Sequence, residues 1–206
     1  MMKQKKNKSI KVWAIVLIVF AGIAGIYELI TYPYEAIIST FFLVCSVTFG
    51  ILILALPKEK RQFASIPMFA LALFNCLLLI MNMIAILNEH DLLLLSIRFL
   101  WDASRMLIPL FIGSSLLRKT KRAFLIPIWI FGGLFVSFGL FLYFANVLTS
   151  WYQLFALWII YLNYLLPPLE YAVLCALGIA CALEKRRKQK MIISDKTAPT
   201  EVVHAE

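Results

Sequence analysis

The chain has 206 residues, 63% of them hydrophobic and only 15% charged, with a mean hydropathy of +0.89. Soluble globular domains hold roughly 45–50% apolar residues, so this composition excludes a water-soluble fold. The formal net charge of +9 raises the question of nucleic acid, which the placement of the twenty Lys and Arg answers. Five precede Val12, three lie at Lys58, Lys60 and Arg61, four at Arg118, Lys119, Lys121 and Arg122, and six follow Glu184. Clusters at every second connection fit the cytoplasmic excess of basic residues that orients membrane helices, and they meet an anionic leaflet rather than a polynucleotide.

In chain order, a basic stretch over residues 1–11 leads into a first apolar segment over 12–31. Ala21-Gly-Ile-Ala24 gives this start the look of a secretory signal. The apolar run continues past it to Ile30, which favours an uncleaved first helix. Further segments follow at 36–56, 66–87, 92–117, 124–146 and 154–183, each long enough to cross a hydrocarbon core of about 30 Å. The connections at 31–35, 88–91 and 146–153 carry no Lys or Arg, whereas those at 57–62 and 118–122 do. The expected fold is therefore an all-α integral membrane protein, a six-transmembrane-helix bundle with both termini in the cytoplasm. Residues 12–183 form its membrane domain, and 184–206 a basic and then disordered tail, with no separate soluble domain. Richness in Lys and Ile with short loops points to a bacterial plasma membrane.

Ionisable residues inside membrane helices are costly and gather where function lies. Arg98, Asp102 and Arg105 of the fourth segment fall within about 60° of one another at 100° per residue, a single polar stripe. Glu28 sits near the outer end of the first segment and Glu170 near that of the sixth, with the amides Asn75 and Asn82 in the third and Asn163 in the sixth. Counted back from the basic clusters, Glu28 and Arg98 lie at the outer boundary. Asp102, Arg105 and Glu170 then lie about 6–10 Å below it. Arg105 is expected to pair with Asp102 or Glu170, and Arg98 with Glu28. Of the thirteen Trp and Tyr residues, all but Trp13 and Trp129 also belong to the outer half. An interfacial belt with structural ion pairs accounts for part of this pattern. An outward-opening polar cavity lined by aromatics accounts for its one-sidedness. The candidate ligand-binding residues are Glu28, Asn82, Arg98, Trp101, Asp102, Arg105, Asn163 and Glu170.

Other constellations carry less. Glu89-His90-Asp91 is too compact to converge on one ion and has no accompanying ligands, so it reads as a solvated loop. No nucleophile with a nearby base is visible, and the arginines beside Asp102 and Glu170 favour ionised, salt-bridged groups over a shared proton. The four cysteines lie in apolar segments without a Cys-x-x-Cys pair; Cys175 and Cys181 are about 9 Å apart along one helix, too far to bridge without distortion. Pro109 and the Pro167-Pro168 pair are expected to kink the helices that carry the buried charges. Gly22 and Gly25, and Gly132, Gly133 and Gly139, offer small faces for close helix packing.

Three functions remain open on the sequence. The first is small-solute binding or transport through the outer cavity. The second is an accessory, sensor or immunity-type role exercised through a membrane-protein partner. The third, an intramembrane lipid-modifying enzyme, lacks a visible proton-transfer group. Six short helices resemble the substrate-binding membrane subunits of energy-coupling vitamin transporters in architecture alone, with no shared residue motif. Expected partners are the bilayer with its anionic cytoplasmic leaflet and a small-molecule ligand, and no cofactor is implied.

Overall fold

A backbone inside a bilayer has no water to bond, so each segment must close its own hydrogen bonds, and only helices do this strand by strand. The computed structural model follows that rule. It describes residues 2–31, 36–86, 92–117, 125–149 and 165–197. Helices run over Met2–Thr31 (α1), Ala36–Ala55 (α2), Ser65–Ile86 (α3), Leu92–Leu117 (α4), Leu125–Thr149 (α5) and Leu166–Thr197 (α6), with a one-turn 3-10 helix at Arg61–Ala64. No strand occurs among these residues. Residues 154–164 of the expected sixth segment, Asn163 among them, the Glu89-His90-Asp91 loop, and the connections at 32–35, 118–124 and 150–153 lie outside the described residues.

Among the described residues five stretches are long and apolar enough to cross a membrane: Ser9–Thr31, Ile37–Ala55, Arg61–Ile84, Leu125–Ala145 and Leu166–Glu184. α4 is not among them; its described part carries the charged Asp102 and Arg105. The bundle is inside-out by soluble standards. Ile30, Ile37 and Trp129 are 77%, 81% and 66% exposed, a surface that only lipid can cover. The protein is thus a multi-pass membrane helical bundle.

The helices pack in chain order as a ring. Each touches the next, α6 closes the circle against α1, and α4 and α6 also meet across it. Neighbours run antiparallel: Gly25 lies against Leu43 while Gly50 lies against Ile18, and Asn82 meets Asp102 while Gly113 meets Phe69. Two glycines are needed for this closeness. A Cβ on Gly50 would stand 2.7 Å from Ile18 Cγ1, and one on Gly178 would stand 2.7 Å from Ile112 Cγ1. Gly25 and Gly132 are crowded as expected, whereas a Cβ at Gly22 or Gly133 would meet nothing within 4 Å.

Both ends of the chain are more helical than expected. α1 begins at Met2, within the basic stretch, and α6 continues to Thr197, through residues expected to be a disordered tail. Lys, Arg, Gln, Glu and Met dominate Glu184–Met191 and are good helix formers, so α6 runs on once its apolar part is anchored. At this end the α2–α3 turn is fastened to α6. Glu184 pairs through Oε1 with Lys58 Nζ at 2.9 Å and through Oε2 with Arg61 Nη1 at 2.7 Å. The Ser65 hydroxyl donates to the Gln62 carbonyl at 2.6 Å, closing the turn.

Candidate functional site

Pro109 is the one proline well inside a described helix; Pro67, Pro127, Pro167 and Pro168 all fall in first turns, where a missing N–H costs nothing. The kink expected at Pro167-Pro168 is accordingly absent from the described part of α6, where Leu169 N–H already reaches the Leu165 carbonyl at 3.1 Å. Pro109 does leave a gap. Having no N–H, it cannot bond the carbonyl four residues back, which belongs to Arg105. Two other helices supply the missing donors. Asn75 Nδ2 of α3 and the Tyr171 hydroxyl of α6 each donate to the Arg105 carbonyl at 3.3 Å, and Asn75 Nδ2 also lies 3.3 Å from the Tyr171 oxygen.

Tyr171 is fully buried at the middle of the ring. Its ring lies 5.0 Å from that of Phe42 in α2 and 4.8 Å from that of Phe135 in α5. Four helices thus meet on one side chain. Beside it is a small cavity of about 20 Å³ lined by Glu28, Ile38, Ser39, Phe42, Arg105, Pro167, Glu170 and Tyr171. Three of the expected charged residues, Glu28, Arg105 and Glu170, therefore converge from α1, α4 and α6 on one space. Glu170 is 3% exposed.

The pairings expected of Arg105 do not form, and that of Arg98 with Glu28 lies outside the described residues. Glu184 pairs with Lys58 and Arg61, and Arg105 closes no ion pair with Asp102 or Glu170. Asp102 Oδ2 instead accepts from Asn82 Nδ2 at 2.8 Å, near the surface of the α3–α4 seam. The reason is angular: Asp102, three residues before Arg105, faces α3, whereas Arg105 faces the ring interior. Arg105 Nε and Glu170 Oε1 stay buried without a hydrogen-bond partner, and the Ser46 hydroxyl lies beside the Glu170 carboxyl. Buried polar atoms left bare cost about 1–3 kcal/mol each, and such costs persist where a ligand or water completes the set.

Trp101 does not join this cavity. It packs on Phe135 at 4.1 Å and Phe138 at 5.3 Å, and lines a separate, largely apolar cavity of about 330 Å³ between α4 and α5 with Leu100, Ser104, Leu134 and Ser137. Phe135 stands between the two spaces, touching Trp101 on one side and Tyr171 on the other. The backbone of Arg98 belongs to α4, but its side chain and the whole of Asn163 lie outside the described residues.

Reading residue types by charge passes over Asn75, Tyr171, Ser39, Phe42 and Ser46 as site members. The signal for the first two was present in the spacing of Pro109 from Arg105, which frees a carbonyl and demands donors from elsewhere. No protein family model, curated protein or solved structure matches this chain, so the site stands on its own geometry.

Proposed function

We propose that this protein binds a small polar solute in the membrane, at the cavity where Glu28, Arg105 and Glu170 converge, and moves it or reports its presence across the bilayer. The observation that carries this reading is the convergence itself: three charged side chains from three helices share one space with a buried tyrosine and a buried serine. Ionisable groups so placed are expensive in hydrocarbon unless they serve a ligand. The described form is closed around the site, so binding requires α4 to move against α6. The interrupted hydrogen bond at Pro109 is where α4 yields most readily.

The reading includes a topology. Six spans, near 12–31, 36–56, 66–87, 92–117, 124–146 and 154–183, cross a plasma membrane with residues 1–11 and 184–206 on the cytoplasmic side, and the site opens outward. The basic clusters support this orientation. α4 crosses despite its charges because Asp102 faces α3 and Arg105 faces the ring interior rather than lipid.

The test is a thermal-shift screen of the purified protein in mild detergent against small metabolites and lipid headgroups, with Arg105→Ala and the conservative Arg105→Lys as controls. A compound that raises the melting temperature of the wild type but of neither variant supports the site. Stabilisation by nothing, with variants that are merely less stable, makes the cluster structural and favours an accessory protein acting through a membrane partner.

A further inference from the structure

A carboxyl taken out of water is held by a cation or keeps its proton, because an isolated charge there is too costly. Glu170 is 3% exposed and lines the cavity together with Arg105, yet the two close no ion pair. Glu170 Oε1 and Arg105 Nε are both buried without a hydrogen-bond partner. The groups brought in by the other helices do not supply a counter-charge. α1 brings Glu28, a second carboxyl, and two carboxylates in one space each oppose ionisation of the other. α2 brings Ser39 and Phe42 to the wall and Ser46 beside the Glu170 carboxyl. α3 and α5 approach through Asn75 and Phe135, both against Tyr171, whose own hydroxyl is given to the Arg105 carbonyl. Among the described residues Arg105 is thus the one cation on the cavity wall, and it stands apart from the carboxyl.

We propose, resting on the solute-site reading above, that Glu170 is a proton-binding site: the closed form carries a proton on its carboxyl, and release of that proton accompanies the opening of the cavity to solute. A protonated carboxyl is neutral and offers both a donor and an acceptor. That suits a closed space of about 20 Å³, the size of a single water. On release the O–H bond breaks, the proton passes to water and the electron pair stays on the carboxylate. A second negative charge then stands beside Glu28 in a space too small to hydrate it, and separation of α4 from α6 admits the water that does. Pro109, four residues from Arg105, lies where α4 gives. Solute entry is thereby coupled to proton release, and a proton gradient across the membrane biases which form the site adopts.

The test reads the proton directly and needs no solute. Infrared spectra of the full chain in nanodiscs are recorded at neutral and at alkaline pH, in water and in deuterium oxide, for the wild type, Glu170→Gln and Glu170→Asp. Melting temperatures are measured alongside. The expected result is the C=O band of a protonated carboxyl at neutral pH that shifts in deuterium oxide and is lost at alkaline pH. Glu170→Gln lacks that band, and Glu170→Asp, which keeps the carboxyl, moves it. Because the proton belongs to the closed fold, the wild-type melting temperature falls over the same rise in pH. Glu170→Gln, which mimics the neutral carboxyl, melts with the wild type at neutral pH and does not follow that fall. No such band at neutral pH, or a Glu170→Gln chain that melts well below the wild type there, shows a carboxylate held by Arg105 and overturns the inference. A compound found in the solute screen beside a missing band overturns the proton and leaves the solute site standing. The band without any stabilising compound overturns the solute site and leaves Glu170 a proton carrier alone.

Discussion

One proline shapes the centre of this molecule. Because Pro109 offers no N–H, the Arg105 carbonyl depends on Asn75 and Tyr171, each 3.3 Å away. Pro109→Ala should restore the helical bond and make those donors redundant. Tyr171→Phe is expected to cost about 1 kcal/mol in the wild type, the usual net value of such a bond, and much less in the Pro109→Ala background. A double-mutant cycle on unfolding in detergent checks this, and equal costs in the two backgrounds would disprove it. The charges of the site were legible in the sequence because ionisable residues stand out in apolar helices. Their partners were not, since the depth of Glu170 and Asp102 says nothing about the angle at which each helix faces its neighbours. Arg105 and Asp102 sit less than one turn apart, yet one faces the cavity and the other finds Asn82.

Helices show the same division between what a pattern states and what packing decides. Apolar runs bounded by basic clusters gave α2, α3 and α4 to within a residue or two, since length and hydropathy are properties of a segment alone. Helix ends beyond the bilayer run further than their charge suggests, because Lys-rich stretches also have high helix propensity. Glycine faces were half legible: Gly25 is crowded and Gly22 is not, three residues earlier on the same helix. Gly178→Ala should destabilise the bundle by about 1–3 kcal/mol through its clash with Ile112, and Ile112→Ala in the same chain should recover part of that loss. Gly22→Ala should be close to neutral. Thermal unfolding of the three variants in one detergent decides the matter. At the other end, Glu184→Gln removes both charge pairs to the α2–α3 turn. These groups are partly solvated, with side-chain exposures of 36% for Lys58 and 23% for Glu184, so the loss should be about 1 kcal/mol or less and should shrink in high salt.

For the molecule as a whole, the proposed topology sets the turn at Pro57–Gln62 against the loop at Asn88–Asp91. With Cys76 replaced by Ala, single cysteines at Glu59 and Asp91 should differ in reactivity toward a membrane-impermeant maleimide on intact cells, Asp91→Cys labelling and Glu59→Cys remaining silent until the membrane is opened. The reverse pattern would invert the bundle and turn the site to the cytoplasm. The ring arrangement carries a further consequence for how the protein is made. Helices α1 to α5 each find a neighbour as they enter the bilayer, but Tyr171 and Glu170 belong to α6, which leaves the ribosome after them. Until then the Arg105 carbonyl lacks its Tyr171 donor and the arc from α1 to α5 has two open edges. A nascent chain halted before Leu166 would present that unfinished carbonyl and a bare charged wall to lipid, a state that membrane chaperones and proteases are equipped to recognise. Completion of the site thus coincides with closure of the ring, and errors in α6 should be read out as lost protein before they are read out as lost binding.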